Sequence, residues 1–132
     1  MSLDPVAVKE MAENYAKAWS SQNAQSVAAF YDENGKITAN DGDPVIGRAA
    51  FAEFVQGFFD EFPDLAISLD EVRTVGNRAV FLWTLEGTNK ETNNFVRLSG
   101  WESWLLSDEI LVLESEGRFD AEEYERQVRE GI

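Results

Sequence analysis

A chain of 132 residues with 44% hydrophobic and 12% aromatic side chains has the size of one domain and enough apolar surface for a real core. Its net charge is −14, from 25 acidic against 11 basic residues; the basic residues are scattered singly, which leaves no stripe to neutralise phosphates and argues against nucleic acid and anionic membranes. Cysteine and histidine are both missing, which removes disulfides, thiolate nucleophiles, Ser–His–Asp and Cys–His hydrolysis and most zinc sites.

In chain order, Asp4-Pro5 is a helix start, a capping acid followed by proline at the first helical position. Val8, Met11, Ala12, Tyr15 and Trp19 then recur at helical steps to about Ser21. Met1-Ser2-Leu3 is left outside the fold. A short second helix is predicted to carry Val27, Phe30 and Tyr31, followed by an Asp32–Gly35 turn and a strand over Lys36–Ala39. Asn40 to Pro44 reads as a loop, and Val45-Ile46-Gly47 as a brief extended piece. The third helix spans about Arg48 to Glu61, with Phe51, Phe54, Val55, Phe58 and Phe62 along one side. Strands follow: Leu65 to Val75 with a bulge, Ala79 to Thr88 after the Gly76-Asn77 turn, Phe95 to Leu106, and Ile110 to Phe119. Asp120, with Glu123 three positions on, is a capping box for a last helix ending near Glu130. Helices set on one side of an antiparallel sheet define an α+β fold in a single domain, 1–132. A sheet curled around those helices would enclose a cavity.

The strand from Phe95 carries the sharpest signal. Side chains alternate between strand faces, so Val96, Leu98, Gly100, Glu102, Trp104 and Leu106 share one face, apolar except for a single carboxylate. Two readings stand. Glu102 is solvent-facing or paired with Arg97 or Arg73, or it is a neutral acid inside a pocket, its pKa raised by desolvation. Tyr15 is either a core tyrosine or a ligand contact. Trp19, Phe54, Phe58 and Trp104 are the aromatic residues expected to line the pocket. The opposite face, with Phe95, Trp101 and Leu105, is too apolar to stay bare and predicts a homodimer.

Asp41-Gly42-Asp43 suggests calcium, but an EF-hand loop begun at Asp41 would need its bidentate acid at position 52, which is Ala52. No phosphate-binding glycine loop or nucleophile elbow occurs. No cofactor and no bound transition metal are expected. No apolar run approaches the ~20 residues of a membrane span, and no basic-then-apolar leader opens the chain. A cytoplasmic protein is expected.

The order of elements, with Asn14-Tyr15-Ala16-Lys17-Ala18-Trp19, Val45-Ile46-Gly47-Arg48, Phe62-Pro63-Asp64-Leu65, Ser107-Asp108-Glu109-Ile110 and Gly117-Arg118-Phe119-Asp120, resembles the cone-shaped fold shared by nuclear transport factor two, ketosteroid isomerase and SnoaL-type polyketide cyclases. This scaffold serves isomerases, dehydratases, cyclases, hydrolases and non-catalytic binders. The resemblance to ketosteroid isomerase implies that Tyr15 and a protonated Glu102 would stabilise an enolate oxygen. That family's basic aspartate falls on Ala39 or Asn40, with Asp41 one or two residues away. SnoaL-type cyclases use a histidine and an aspartate near the last strand, where this chain has Glu114 to Asp120 and no histidine. Two functions result: a protein holding a small, mostly apolar ligand in the cone pocket, or a cofactor-independent isomerase, cyclase or dehydratase acting on a carbonyl compound through Tyr15, Glu102 and Asp41.

Overall fold

A computed structural model describes residues 3–132; Met1 and Ser2 lie outside the described residues. Helix α1 (Pro5–Trp19) begins where Asp4 accepts the Val6 N–H, and buries Val8, Met11, Ala12, Tyr15 and Trp19. Helix α2 (Ala24–Ala28) is capped by Asn23, whose side chain accepts the Ser26 N–H. Strands β1 (Tyr31–Ala39) and β2 (Val45–Ile46) precede α3 (Arg48–Glu61). Gly47, with φ 91°, makes the turn into α3 in a backbone region that favours glycine. Then come β3 (Ala66–Val75), β4 (Arg78–Thr88), β5 (Phe95–Leu106), β6 (Val112–Phe119) and α4 (Ala121–Glu130). The last helix is capped by Asp120, which accepts the Glu123 N–H.

Among the described residues the strands form one curved, unclosed sheet in the order β2-β1-β6-β5-β4-β3. β3 to β6 run antiparallel in succession, with the expected bulge between Leu69 and Glu71. β1 joins β6 in parallel, a pairing that strand patterns do not reveal. The core fills the space between the concave sheet face and α1 to α3, centred on Tyr15, Phe51, Phe62, Phe81 and Trp104. This is the expected α+β cone.

Four local expectations are corrected. The second helix ends at Ala28, and Tyr31 opens β1 opposite Val112. Asp32 to Gly35 form an irregularity within that strand, where a Cβ on Gly35 would stand 2.9 Å from the Val112 carbonyl oxygen. β6 starts at Val112, because Ile110 (φ 61°) still belongs to the turn whose Leu111 and Glu109 N–H groups donate to the Ser107 hydroxyl. Leu3 is part of the fold: it is buried, and its N–H donates to the Gly76 carbonyl at 3.0 Å.

Candidate functional site

Glu102 faces inward from β5 and is 7% exposed. Its Oε1 is ringed by donors from four elements. Ser115 Oγ on β6 lies at 2.8 Å, Trp104 Nε1 at 3.1 Å, the Tyr31 hydroxyl at 3.1 Å and the Tyr15 hydroxyl at 3.2 Å. Tyr15 and Tyr31 also approach each other at 3.2 Å. Three of the donors are placed by the local pattern of their own elements. Tyr15 sits one turn before Trp19 on the buried stripe of α1, and Trp104 is two residues from Glu102 on the same strand face. Ser115 is the register partner of Trp104 across β5 and β6. No arginine neutralises the acid: Arg97 pairs with Glu86 and Arg73 with Glu71.

Burial pushes the Glu102 carboxyl above its ordinary value of 4.5 and outweighs the donors, which pull it down in the order Ser115, Trp104, Tyr31, Tyr15. Burial, and then the negative charge of Glu102, drive both phenols well above 10, so Tyr15 and Tyr31 stay protonated donors. Oε2 meets only the Tyr15 hydroxyl, at 3.3 Å. A proton on Oε1 would point into four donors, so the proton of a neutral Glu102 belongs on Oε2.

A cavity of about 80 Å³ lies between the concave sheet face and α1, α3 and α4. Its wall is apolar, with Trp19, Phe54, Phe58, Ile67, Leu85 and Leu98 prominent, and Glu102 is the one carboxyl on it among the described residues. Of the seven residues singled out from sequence, Trp19, Phe54, Phe58 and Glu102 meet on this wall. Tyr15 and Trp104 stand behind it. Trp104 is not a wall residue, because its ring stacks on Phe81 at 5.0 Å, is fully buried, and turns its N–H to Glu102. Asp41 is exposed and ion-paired with Arg118. Arg118 is itself one of the residues lining the cavity, so this pair stands beside it, while Asp41 is not on the wall.

Sequence reasoning missed Tyr31 and Ser115 as partners of Glu102. Tyr31 was hidden by the misplaced helix end; strand alternation puts Ser115 on the face of Gly117 and Phe119 and was the available signal. The Trp19 indole nitrogen is the buried side-chain polar atom without a hydrogen-bond partner among the described residues. It is sealed among packed side chains beside Tyr15, not open to the cavity.

The SnoaL-like domain model matches residues 12–113. The chain belongs to the SnoaL-like domain family. No curated protein matches this SnoaL-like sequence. Solved structures do. TsrD from Streptomyces laurentii is 16% identical, with 96% of this chain and 98% of that one covered and a TM-score of 0.84. A protein of ketosteroid isomerase-like fold from Catenulispora acidiphila, in complex with trimethylamine, is 11% identical over 87% and 88% of the two chains, TM-score 0.81. The epoxide hydrolase/cyclase-like enzyme SalBIII, of pyran ring formation in the polyether salinomycin, is 17% identical over 91% and 95%, TM-score 0.80. These likenesses establish the fold, that of the nuclear transport factor two-like superfamily.

Proposed function

We propose that this SnoaL-like protein binds a small, mostly apolar molecule in the cone cavity and orients it through one hydrogen bond to Glu102. The observation that carries this reading is the single carboxyl on a predominantly apolar wall, held in place by four donors to its Oε1. Pockets of this kind derive affinity from apolar contact and orientation from a few polar groups. A water needs about 10–15 Å³ by the same measure, so 80 Å³ suits a molecule of roughly five to eight heavy atoms. In its neutral form, with the proton on Oε2, Glu102 is a donor, which favours a ligand bearing an acceptor oxygen.

The enzymatic alternative draws support from Glu102 as well, since a buried carboxyl of raised pKa suits general-acid chemistry, and from the likeness to the epoxide hydrolase/cyclase-like SalBIII. The enolate version needs Asp41 as base and Tyr15 as a direct contact. Asp41 is exposed, tied to Arg118 and not on the cavity wall, and Tyr15 spends its hydroxyl on Glu102 and Tyr31. Binding is therefore the better supported of the two. The outer sheet face, with Val80, Phe95 and Trp101 exposed, supports association as a homodimer.

The test uses cyclohexanone and methylenecyclohexane, alike in shape but only the first with an acceptor oxygen. Methyl signals of Ile67, Leu85 and Leu98 should move on titration with either compound, with the ketone preferred about three- to tenfold, the worth of one hydrogen bond. Glu102→Leu should erase that preference. Wild-type protein whose methyl signals ignore both compounds would end the binding reading.

A further inference from the structure

The inward residues of β6 are Ser115, Gly117 and Phe119, and each meets the acid strand differently. Ser115 reaches Oε1 of Glu102, and Phe119 lies opposite Gly100 near the rim. Gly117 is the direct register partner of Glu102 and lines the cavity. A Cβ built there would find only Glu102 Cγ at 3.6 Å and the Trp101 carbonyl oxygen at 3.8 Å, both ordinary contacts. Its backbone lies outside the positive-φ region that favours glycine. Neither strain nor crowding therefore demands a glycine at 117.

Gly100, one pair along, is the contrast. A Cβ there would come within 2.5 Å of both the Arg118 carbonyl oxygen and the Trp83 ring, so the Trp83 indole occupies the space a side chain would take. At Gly117 nothing occupies that space. A glycine inside a strand weakens it and often marks a place where a ligand comes close. The empty position lies beside Glu102, the one carboxyl of the wall among the described residues.

We propose that Gly117 is the specificity-determining residue of the cavity: its missing side chain leaves the space in which the ligand's polar end reaches Glu102, and so sets the largest group that can be presented to the acid. This rests on the binding reading above and adds to it a size limit at one atom of the wall. A methyl group at 117 projects into that space and leaves Glu102 and its four donors untouched.

The experiment compares wild type, Gly117→Ala and Gly117→Ser with acetone and cyclohexanone, following the same methyl signals and thermal melting. Gly117→Ala should melt at or above the wild-type temperature, because it fills space and restricts the unfolded chain. Its affinity for cyclohexanone should fall at least tenfold, while that for acetone stays within threefold. Gly117→Ser should repeat the exclusion. Unchanged cyclohexanone binding in both variants would overturn the proposal and leave the binding reading standing. A marked loss of melting temperature in both would also overturn it, by making Gly117 a packing requirement. Wild-type protein that binds neither ketone would remove the binding reading, and this one with it.

Discussion

Ser115 Oγ donates to Oε1 of Glu102 at 2.8 Å, the shortest of the four contacts on that oxygen. The hydroxyl arrives from the neighbouring strand, with Tyr15 and Tyr31 closing the other side. Crowding of Oε1 and the near-isolation of Oε2 give the two oxygens different roles. Oε1 is anchored by four donors, and Oε2 meets the Tyr15 hydroxyl alone.

The pH dependence of stability follows from Glu102. Its folded pKa lies above its unfolded value near 4.5. Its favourable contribution is thus complete below pH 4.5 and is lost as pH rises through the folded pKa. Each tenfold change in the folded acid constant is worth about 1.4 kcal/mol. Glu102→Gln keeps an acceptor at Oε1 and cannot ionise, so it should flatten this slope and stabilise the protein at pH 8. Ser115→Ala removes the strongest opposing donor and should raise the Glu102 midpoint further, at a cost of about 1 kcal/mol. Carboxyl-carbon NMR and denaturant unfolding from pH 4 to 9 measure both; a wild-type midpoint at or below 4.5 would refute the assignment.

Gly100→Ala should destabilise strongly. The new methyl would stand 2.5 Å from a backbone oxygen and from the Trp83 ring, and overpacking of this kind costs about 1–3 kcal/mol or more. Urea unfolding beside Gly117→Ala provides the check, since two glycine-to-alanine changes in one pair of strands should have opposite effects. Equal stability in the two variants would contradict the packing described here.

The outer face predicts the oligomer. Val80 is 37% exposed, Phe95 37% and Trp101 36%, on neighbouring strands. Light scattering at micromolar concentration should give twice the chain mass of 14.8 kDa, and Trp101→Glu should return it to a single chain without changing the fold. A wild-type mass of one chain would remove the dimer.

The elements of this fold are written locally, which is why they are legible. Asp4 and Asp120 announce helix starts by accepting N–H groups two and three residues away. The bulge in β3 and the inward turn of Glu102 come from alternation within one strand. Periodicity also brought out Trp19, Phe54 and Phe58, because the face a side chain takes depends on its own element.

What surrounds Glu102 depends on elements far apart in the chain. Tyr15 stands 87 residues from it and Tyr31 71, and no local pattern encodes such a meeting. The parallel pairing of β1 with β6 brings Tyr31 and Ser115 to the same acid, whereas the resemblance to ketosteroid isomerase implied Asp41 as its companion. Asp41 instead lies exposed in a turn with positive φ, where Arg118 holds it. The sequence alone determined that one carboxyl shares a strand face with apolar neighbours, because strand geometry has a period of two. Only the tertiary structure decided which groups stabilise that carboxyl, because hydrogen-bond partners are chosen by strand order and register.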